Sequence, residues 1–391
     1  MRRLPRHGLP DGPGMRILLD FGAIKAGGGA QLASAFLGYL QQEATLGHEF
    51  ALLIPATGPL AGMQHSVARL GTLVSPSSYR ARLQFEHGEL QRFIAARDIQ
   101  AIYTFFGAGL PHPPSVNSVV SVAYPTLCYP ESPYWRNAGL RERLHVGALD
   151  LMRIRRLRRA TTIIVETDIM KERVSKSVRF PSKRIRVIPP FVSTHVRELR
   201  RADGGAVRRF VLVSNNYTHK NLWRLYAVAQ RARASGLVDF TFHLTVDKRA
   251  YLQRLVGQTV DALILERHFV FLGPVAPQDI MQVYESADCV LSLSDLESFS
   301  NNYLEAWRVG LPLLASDRDF ARAVCGKSAL YVDPHDPDSV VRGMLQVRAD
   351  AGLRRTLVEE GRRRLRFLPD LRERTTLVLA ELAAPAAGVS A

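Results

Sequence analysis

Residues 291–317 read LSLSDLESFSNNYLEAWRVGLPLLASD. Cys289 to Leu293 is an apolar run of strand type, Ser298 to Asn302 is a polar turn, and a helix begins near Asn301. A turn of this kind leaves backbone N–H groups free at the helix start. Together with the helix dipole they form a site for an anion. Two acids flank it: Glu297 before the helix and Glu305 one turn inside. A carboxylate does not serve a phosphate alone, but it accepts two hydroxyls at once, and sugars and riboses present such pairs. The alternative is that both are ordinary acids drawn to a helix start by the dipole.

Working outward, the same alternation fills the chain. In the first half, Arg16 to Asp20, Phe50 to Ile54, Ala101 to Phe105, Ser118 to Ala123, Thr161 to Val165 and Arg186 to Ile188 read as strands. Helical segments between them include Ala30 to Leu40, Leu90 to Ala96, the basic Leu140 to Arg159, and Asp168 to Val174 with Thr167 as its cap. Gly27, Gly28 and Gly29 form a turn after the first strand. A second series starts at Arg209 to Val213, with a helix from Asn221 to Ala234, and runs to helices over 337–349, 353–367 and 370–383. Strands alternating with helices imply parallel sheets covered on both faces. The expected division is a disordered basic leader over 1–14, an α/β domain over 15–192, and a linker over 193–207. A second α/β domain over 208–368 and a terminal helix and tail over 369–391 follow. Two doubly wound Rossmann-like sheets of this kind would face one another across a cleft and bind ligands at the carboxyl ends of their strands.

At 391 residues the chain is long for one core, and its 47% hydrophobic and 23% charged composition is globular. No apolar run approaches ~18 residues, which excludes a spanning helix on sequence grounds. Cys128, Cys289 and Cys325 lack CxxC spacing, which argues against a disulfide framework or zinc site and fits a reducing, cytoplasmic setting. The net charge is +16, with 27 Lys and Arg against 14 Asp and Glu in 1–200, and 25 against 22 in 201–391. A basic first half implies a polyanionic partner. Nucleic acid is disfavoured, because no helix-turn-helix, zinc-finger or RRM-like pattern accompanies the charge.

The segment 291–317 resembles the E-x7-E signature of GT-B glycosyltransferases of the retaining family 4 type, with Gly310-Leu311-Pro312 and Ala315-Ser316-Asp317 matching the G-x-P…S-D continuation. The resemblance implies that Glu297 contacts the donor sugar, that the amides of Ser298, Phe299, Ser300, Asn301 and Asn302 reach sugar hydroxyls and diphosphate, and that Glu305 holds the ribose hydroxyls. In VSNNYTHKNL (213–222) it assigns Lys220 to the donor diphosphate, which suits an ammonium with three donors. Asn215 and Asn216 stand where many members carry an arginine. Gly28 and Gly29 resemble the family's Gly-rich loop near donor phosphate and acceptor. A C-terminal helix crossing back to the first domain belongs to the same expectation.

Many relatives carry a His-Asp pair after a first-domain strand, facing the sugar; here Tyr124 or Glu131 stands in that region. The family's leaving phosphate is thought to take the acceptor's proton, so no protein base is required. No good D-x-D is present, since Asp317-Arg318-Asp319 follows the wrong strand, and no metal or other cofactor is expected. The helix Leu140 to Arg159, with Leu149, Met152, Ile154 and Leu157 among its arginines, is a candidate contact for an anionic membrane surface; the alternative is a solvated helix with an ordinary apolar stripe on the core. The implied partners are a nucleotide-sugar donor and a glycan or lipid-linked acceptor in surface-polysaccharide assembly. The competing reading is a catalytically silent nucleotide-binding subunit of an active glycosyltransferase.

Overall fold

The computed structural model describes residues 14–24, 27–42, 47–61, 67–199 and 205–384. The leader expected over 1–14 lies outside them except for Gly14, as do 200–204 of the expected linker and the Ala-rich tail from 385. Two compact units are present, each with its own parallel sheet.

In the first unit the strands are β1 (Arg16–Asp20), β2 (Glu49–Pro55), β3 (Gly71–Ser75), β4 (Ala101–Thr104), β5 (Asn117–Ser121), β6 (Thr162–Val165) and β7 (Ile185–Val187). They lie in the order β3-β2-β1-β4-β5-β6-β7, all parallel. Most of their residues are buried from both faces, as the near-continuous apolar runs require. The order reverses between β1 and β4, so the loops after these strands open a crevice at their carboxyl ends. The C-terminal helix Leu371–Ala383 belongs to this unit and buries Val378, Leu379 and Leu382 in its core. An Asp370–Glu373 capping box starts that helix, and the Asn117 amide closes it by donating to the Leu382 carbonyl at 2.8 Å.

The second unit carries β8 (Arg209–Leu212), β9 (Thr241–Leu244), β10 (Phe269–Phe271), β11 (Cys289–Ser292), β12 (Leu313–Ser316) and β13 (Leu330–Val332), in the order β10-β9-β8-β11-β12-β13. Its switch point falls between β8 and β11, paired in parallel as Cys289 with Phe210 and Val290 with Val211. Residues 131–137 and 192–199 group with this unit, besides 205–368. The stretch 192–199 is attached to it: Leu199 N–H donates to the Val309 carbonyl at 3.1 Å, and Val196 is buried.

One expectation needs correction. The helix read from Asn221 starts at Leu225, because Asn221 sits in the left-handed region (φ 59°) between two single 3₁₀ turns, Thr218–Lys220 and Leu222–Arg224. Asp319 is the first residue of a helix, Asp319–Cys325.

Candidate functional site

The pairing of β8 with β11 sets two loops side by side at the carboxyl edge of the second sheet. The loop after β8 carries Asn215, Asn216 and Lys220; the loop after β11 carries Ser294 to Ser300. The helix Asn301–Val309 starts where the sequence places it, with Ser300 at its cap in extended conformation and making no side-chain cap bond. Its first amides are therefore free of a competing side-chain acceptor.

Lys220 Nζ forms an ion pair with Glu297 Oε1, and the Ser294 hydroxyl donates to the same oxygen at 2.8 Å. Glu297, Ser298 and Ser300 are buried to under a tenth of full exposure, and Phe299 is at that margin. Asn302 Nδ2 donates to the Val213 carbonyl at 2.9 Å, tying the helix start to the β8 loop. Asn216 Nδ2 is committed to the Ala250 carbonyl at 2.7 Å, while Asn215 is exposed. Asn221 Nδ2 donates to the Leu293 carbonyl at 2.9 Å, so the unusual backbone at Asn221 is paired with a bond between the two loops.

Glu305 is buried one turn into the helix, and the Tyr284 hydroxyl donates to its Oε2. Burial pushes the Glu305 carboxyl above its ordinary range, the Tyr284 bond opposing this in part. Burial also pushes the Tyr284 hydroxyl well up. His219, next to Lys220, stacks on Tyr217 with ring centroids 5.6 Å apart and meets the edge of Tyr134 at 6.2 Å. Burial lowers its pKa to about 4, against the attraction of Glu297.

The remaining sequence candidates stand on other segments of the chain. Gly28 opens the helix Gly28–Gln42 after β1, preceded by Gly27 in the left-handed region (φ 76°). A methyl at Gly29 would meet Phe106 and Ile24 at 3.6 and 3.7 Å, ordinary contact distances, so protein packing does not demand glycine there. Tyr124 belongs to the first unit, with the Arg153 guanidinium over its ring at 4.1 Å. Glu131 is exposed and belongs to the second unit. Asp317 is taken up by Arg322 (Oδ2 at 2.9 Å from Nη2), and Arg318 by Asp295 and Asp333. Sequence reasoning missed Tyr284, and missed the grouping of Ser132, Arg318 and His335 around Asp295.

The β8–β11 switch point thus brings together a lysine, a glutamate and an uncapped helix start at the carboxyl edge of the second parallel sheet. The family model for glycosyl transferases group 1 matches residues 208–364, and that for glycosyltransferase family 4 matches 26–196. The chain belongs to the group 1, family 4 glycosyltransferases and has the GT-B fold. D-inositol 3-phosphate glycosyltransferase of Corynebacterium urealyticum is 32% identical over 108 residues, 27% of this chain and 26% of that protein. The chain thus matches well under half the length of the curated relatives it resembles, 43% at most among the three found. Among solved structures, WaaG, a glycosyltransferase involved in lipopolysaccharide biosynthesis, superposes with a TM-score of 0.69 at 14% identity over 95% of this chain and all of the other. Anabaena Alr3699/HepE in complex with UDP and glucose gives 0.66 at 15%, over 94% and 99%. These likenesses establish the fold.

Proposed function

We propose that the protein transfers a hexose-type sugar, with retention of anomeric configuration, from a nucleotide-diphosphate sugar to a glycan or lipid-linked acceptor in cell-surface polysaccharide assembly. The observation that carries this is the Lys220–Glu297 ion pair beside the uncapped start of Asn301–Val309, with Glu305 one turn further in. In this reading Glu297 accepts hydroxyls of the donor sugar, and Glu305, held by Tyr284, accepts those of the ribose. The amides at Ser298 to Asn302 and the Lys220 ammonium meet the diphosphate. As the glycosyl–phosphate bond breaks, negative charge grows on that leaving group, and each preorganised donor contributes about 3 kcal/mol. Gly28 and Gly29 would let backbone approach phosphate or acceptor, a use consistent with the room found at Gly29. Tyr124 and Glu131 are the alternatives for bordering the sugar.

WaaG, involved in lipopolysaccharide biosynthesis, and HepE, solved with UDP and glucose, support a cell-surface setting and a nucleotide-sugar donor. Metal is not needed in this scheme, because Lys220 and the helix amides supply the positive charge. We place the protein in the cytoplasm, at the inner face of the membrane. The support is the exposed basic helix Leu140–Leu157; among the described residues no helix is long and apolar enough to cross a bilayer.

The test is release of nucleoside diphosphate from a panel of nucleotide sugars with an acceptor extract, in EDTA and in Mg²⁺, with product configuration read by NMR. The expected result is metal-independent release, an axial-for-axial product, and loss in Lys220→Ala. Requirement for metal contradicts the metal-free scheme, and inversion contradicts retention. The alternative, a silent nucleotide-binding subunit, is favoured by one observation: Asn215 and Asn216 stand where many members carry an arginine, and Asn216 is committed to the Ala250 carbonyl. Nucleotide binding without any release would establish it.

A further inference from the structure

Two residues before Glu297, Asp295 gathers bonds that the scheme above does not use. Its side chain is 1% exposed. Arg318 Nη2 donates to Oδ1 at 3.1 Å and His335 Nε2 to Oδ2 at 2.6 Å. Its backbone is tied as well: the N–H donates to the His219 carbonyl at 2.8 Å, and the carbonyl accepts the Ser132 hydroxyl at 2.8 Å. Arg318 is itself fixed by Asp333, at 3.2 Å from Oδ1, which also accepts the His335 N–H at 3.1 Å. One residue therefore joins the Lys220 turn, the loops after β12 and β13, and the segment around Ser132 to the turn that carries Glu297.

A buried carboxylate is expensive unless it is hydrogen-bonded and paired. Burial drives the Asp295 carboxyl upward, but bonds from His335 and Asn221 and the charge of Arg318 hold it below its usual range, so it is kept as an anion. Such a group keeps its geometry only with both donors in place. The neighbouring Ser294 hydroxyl and the Glu297 carboxylate that pairs with Lys220 share one short loop with it.

We propose that Asp295, held by Arg318 and His335, is a positioning residue that sets Glu297 in register with Lys220 and so governs recognition of the donor's sugar. The proposal rests on the donor-site reading above. It separates sugar from nucleotide: Glu305 and Tyr284 lie on helices that Asp295 does not bond, and the backbone tie to His219 survives a side-chain change.

The full chain is titrated calorimetrically with UDP, GDP and ADP and with their common sugar conjugates, and donor hydrolysis is followed in parallel. Wild type is compared with Asp295→Asn, His335→Ala and His335→Gln, the last retaining an N–H donor at the Nε2 position. The expected result is that Asp295→Asn and His335→Ala bind the preferred nucleoside diphosphate within about threefold of wild type. They bind its sugar conjugate at least tenfold more weakly and hydrolyse it at least tenfold more slowly, and His335→Gln recovers most of both losses. If Asp295→Asn does not fold, the two His335 variants decide, since that side chain is the more accessible partner. Wild-type binding of the sugar conjugate by the variants, or equal loss of conjugate and diphosphate, overturns the proposal. A wild type that binds none of the nucleotides overturns the donor-site reading itself, and this proposal with it.

Discussion

At the residue scale, the two carboxylates of the candidate site are separated by their surroundings. Glu297 is paired to a cation, whereas Glu305 accepts the Tyr284 hydroxyl and has a pKa raised by burial. Tyr284→Phe leaves that buried oxygen unsatisfied, so chemical denaturation should show a loss of about 1–3 kcal/mol together with weaker nucleotide binding. No stability loss would mean that Glu305 reaches water there. His219 gives a signed pH dependence. Its folded pKa of about 4 lies below the ordinary 6.5, so the unfolded chain binds the proton first between those values. Native stability therefore rises with pH across this window and is lost as pH falls from about 6.5 to about 4. His219→Gln should flatten that part of a stability–pH curve; an unchanged slope would refute the assignment. Glu297 and Glu305 were picked out in the sequence because a strand, a turn and a helix encode their spacing locally, and Lys220 by the family resemblance of 213–222. Tyr284, Ser132, Arg318 and His335 were not, because each reaches the site from a different loop or helix and no local period records the meeting.

At the element scale, the buried strands were legible as apolar runs, while β3 was not. It is an edge strand, GTLVS, with Val74 half exposed, so its pattern carries neither a continuous run nor a long alternation. The helix Asn301–Val309 is locked by Trp307, which packs against Gly361 of the helix Ala351–Leu365. A Cβ on Gly361 would fall 2.3 Å from Trp307 Cδ1. Gly361→Ala should destabilise by about 1–3 kcal/mol by overpacking, measured by thermal or denaturant unfolding, despite alanine's better helix propensity. A stabilised variant would contradict the close approach. The helix Leu140–Leu157 buries only Leu157; Leu140, Leu144 and Leu151 are 73%, 66% and 49% exposed. They lie within ~40° of one another at 100° per residue, with Arg141, Arg143 and Arg155 also exposed. Its second half is anchored through Arg156 to the buried Glu86. The apolar residues read among its arginines as the membrane contact, Leu149, Met152, Ile154 and Leu157, are half-buried or buried, and the exposed leucines are different residues. Changing Leu140, Leu144 and Leu151 to serine should reduce sedimentation with anionic, but not neutral, liposomes by tenfold or more. Equal binding by the triple variant would place the membrane contact elsewhere.

At the scale of the whole molecule, each unit is assembled from separate stretches of the sequence. The helix Leu371–Ala383 completes the core of the first unit from the far end of the sequence, and 131–137 sit with the second unit. Ending the chain at Leu368 removes three buried aliphatic residues from the first core and should cost on the order of 5 kcal/mol, visible as a lower unfolding midpoint. Local pattern announced that this helix exists; its partner follows from the fold, not from its own residues. The central claim is that the β8–β11 switch point is a nucleotide-sugar donor site, and a thermal-shift panel of UDP, GDP, ADP and their sugar conjugates tests it most directly. A ligand at ~100 times its Kd stabilises by ~2.7 kcal/mol, an easily measured shift. We predict that one nucleotide family shifts the wild type and that Glu305→Ala, still folded by circular dichroism, loses most of that shift. No shift with any nucleotide, or a shift that Glu305→Ala leaves intact, would contradict the account.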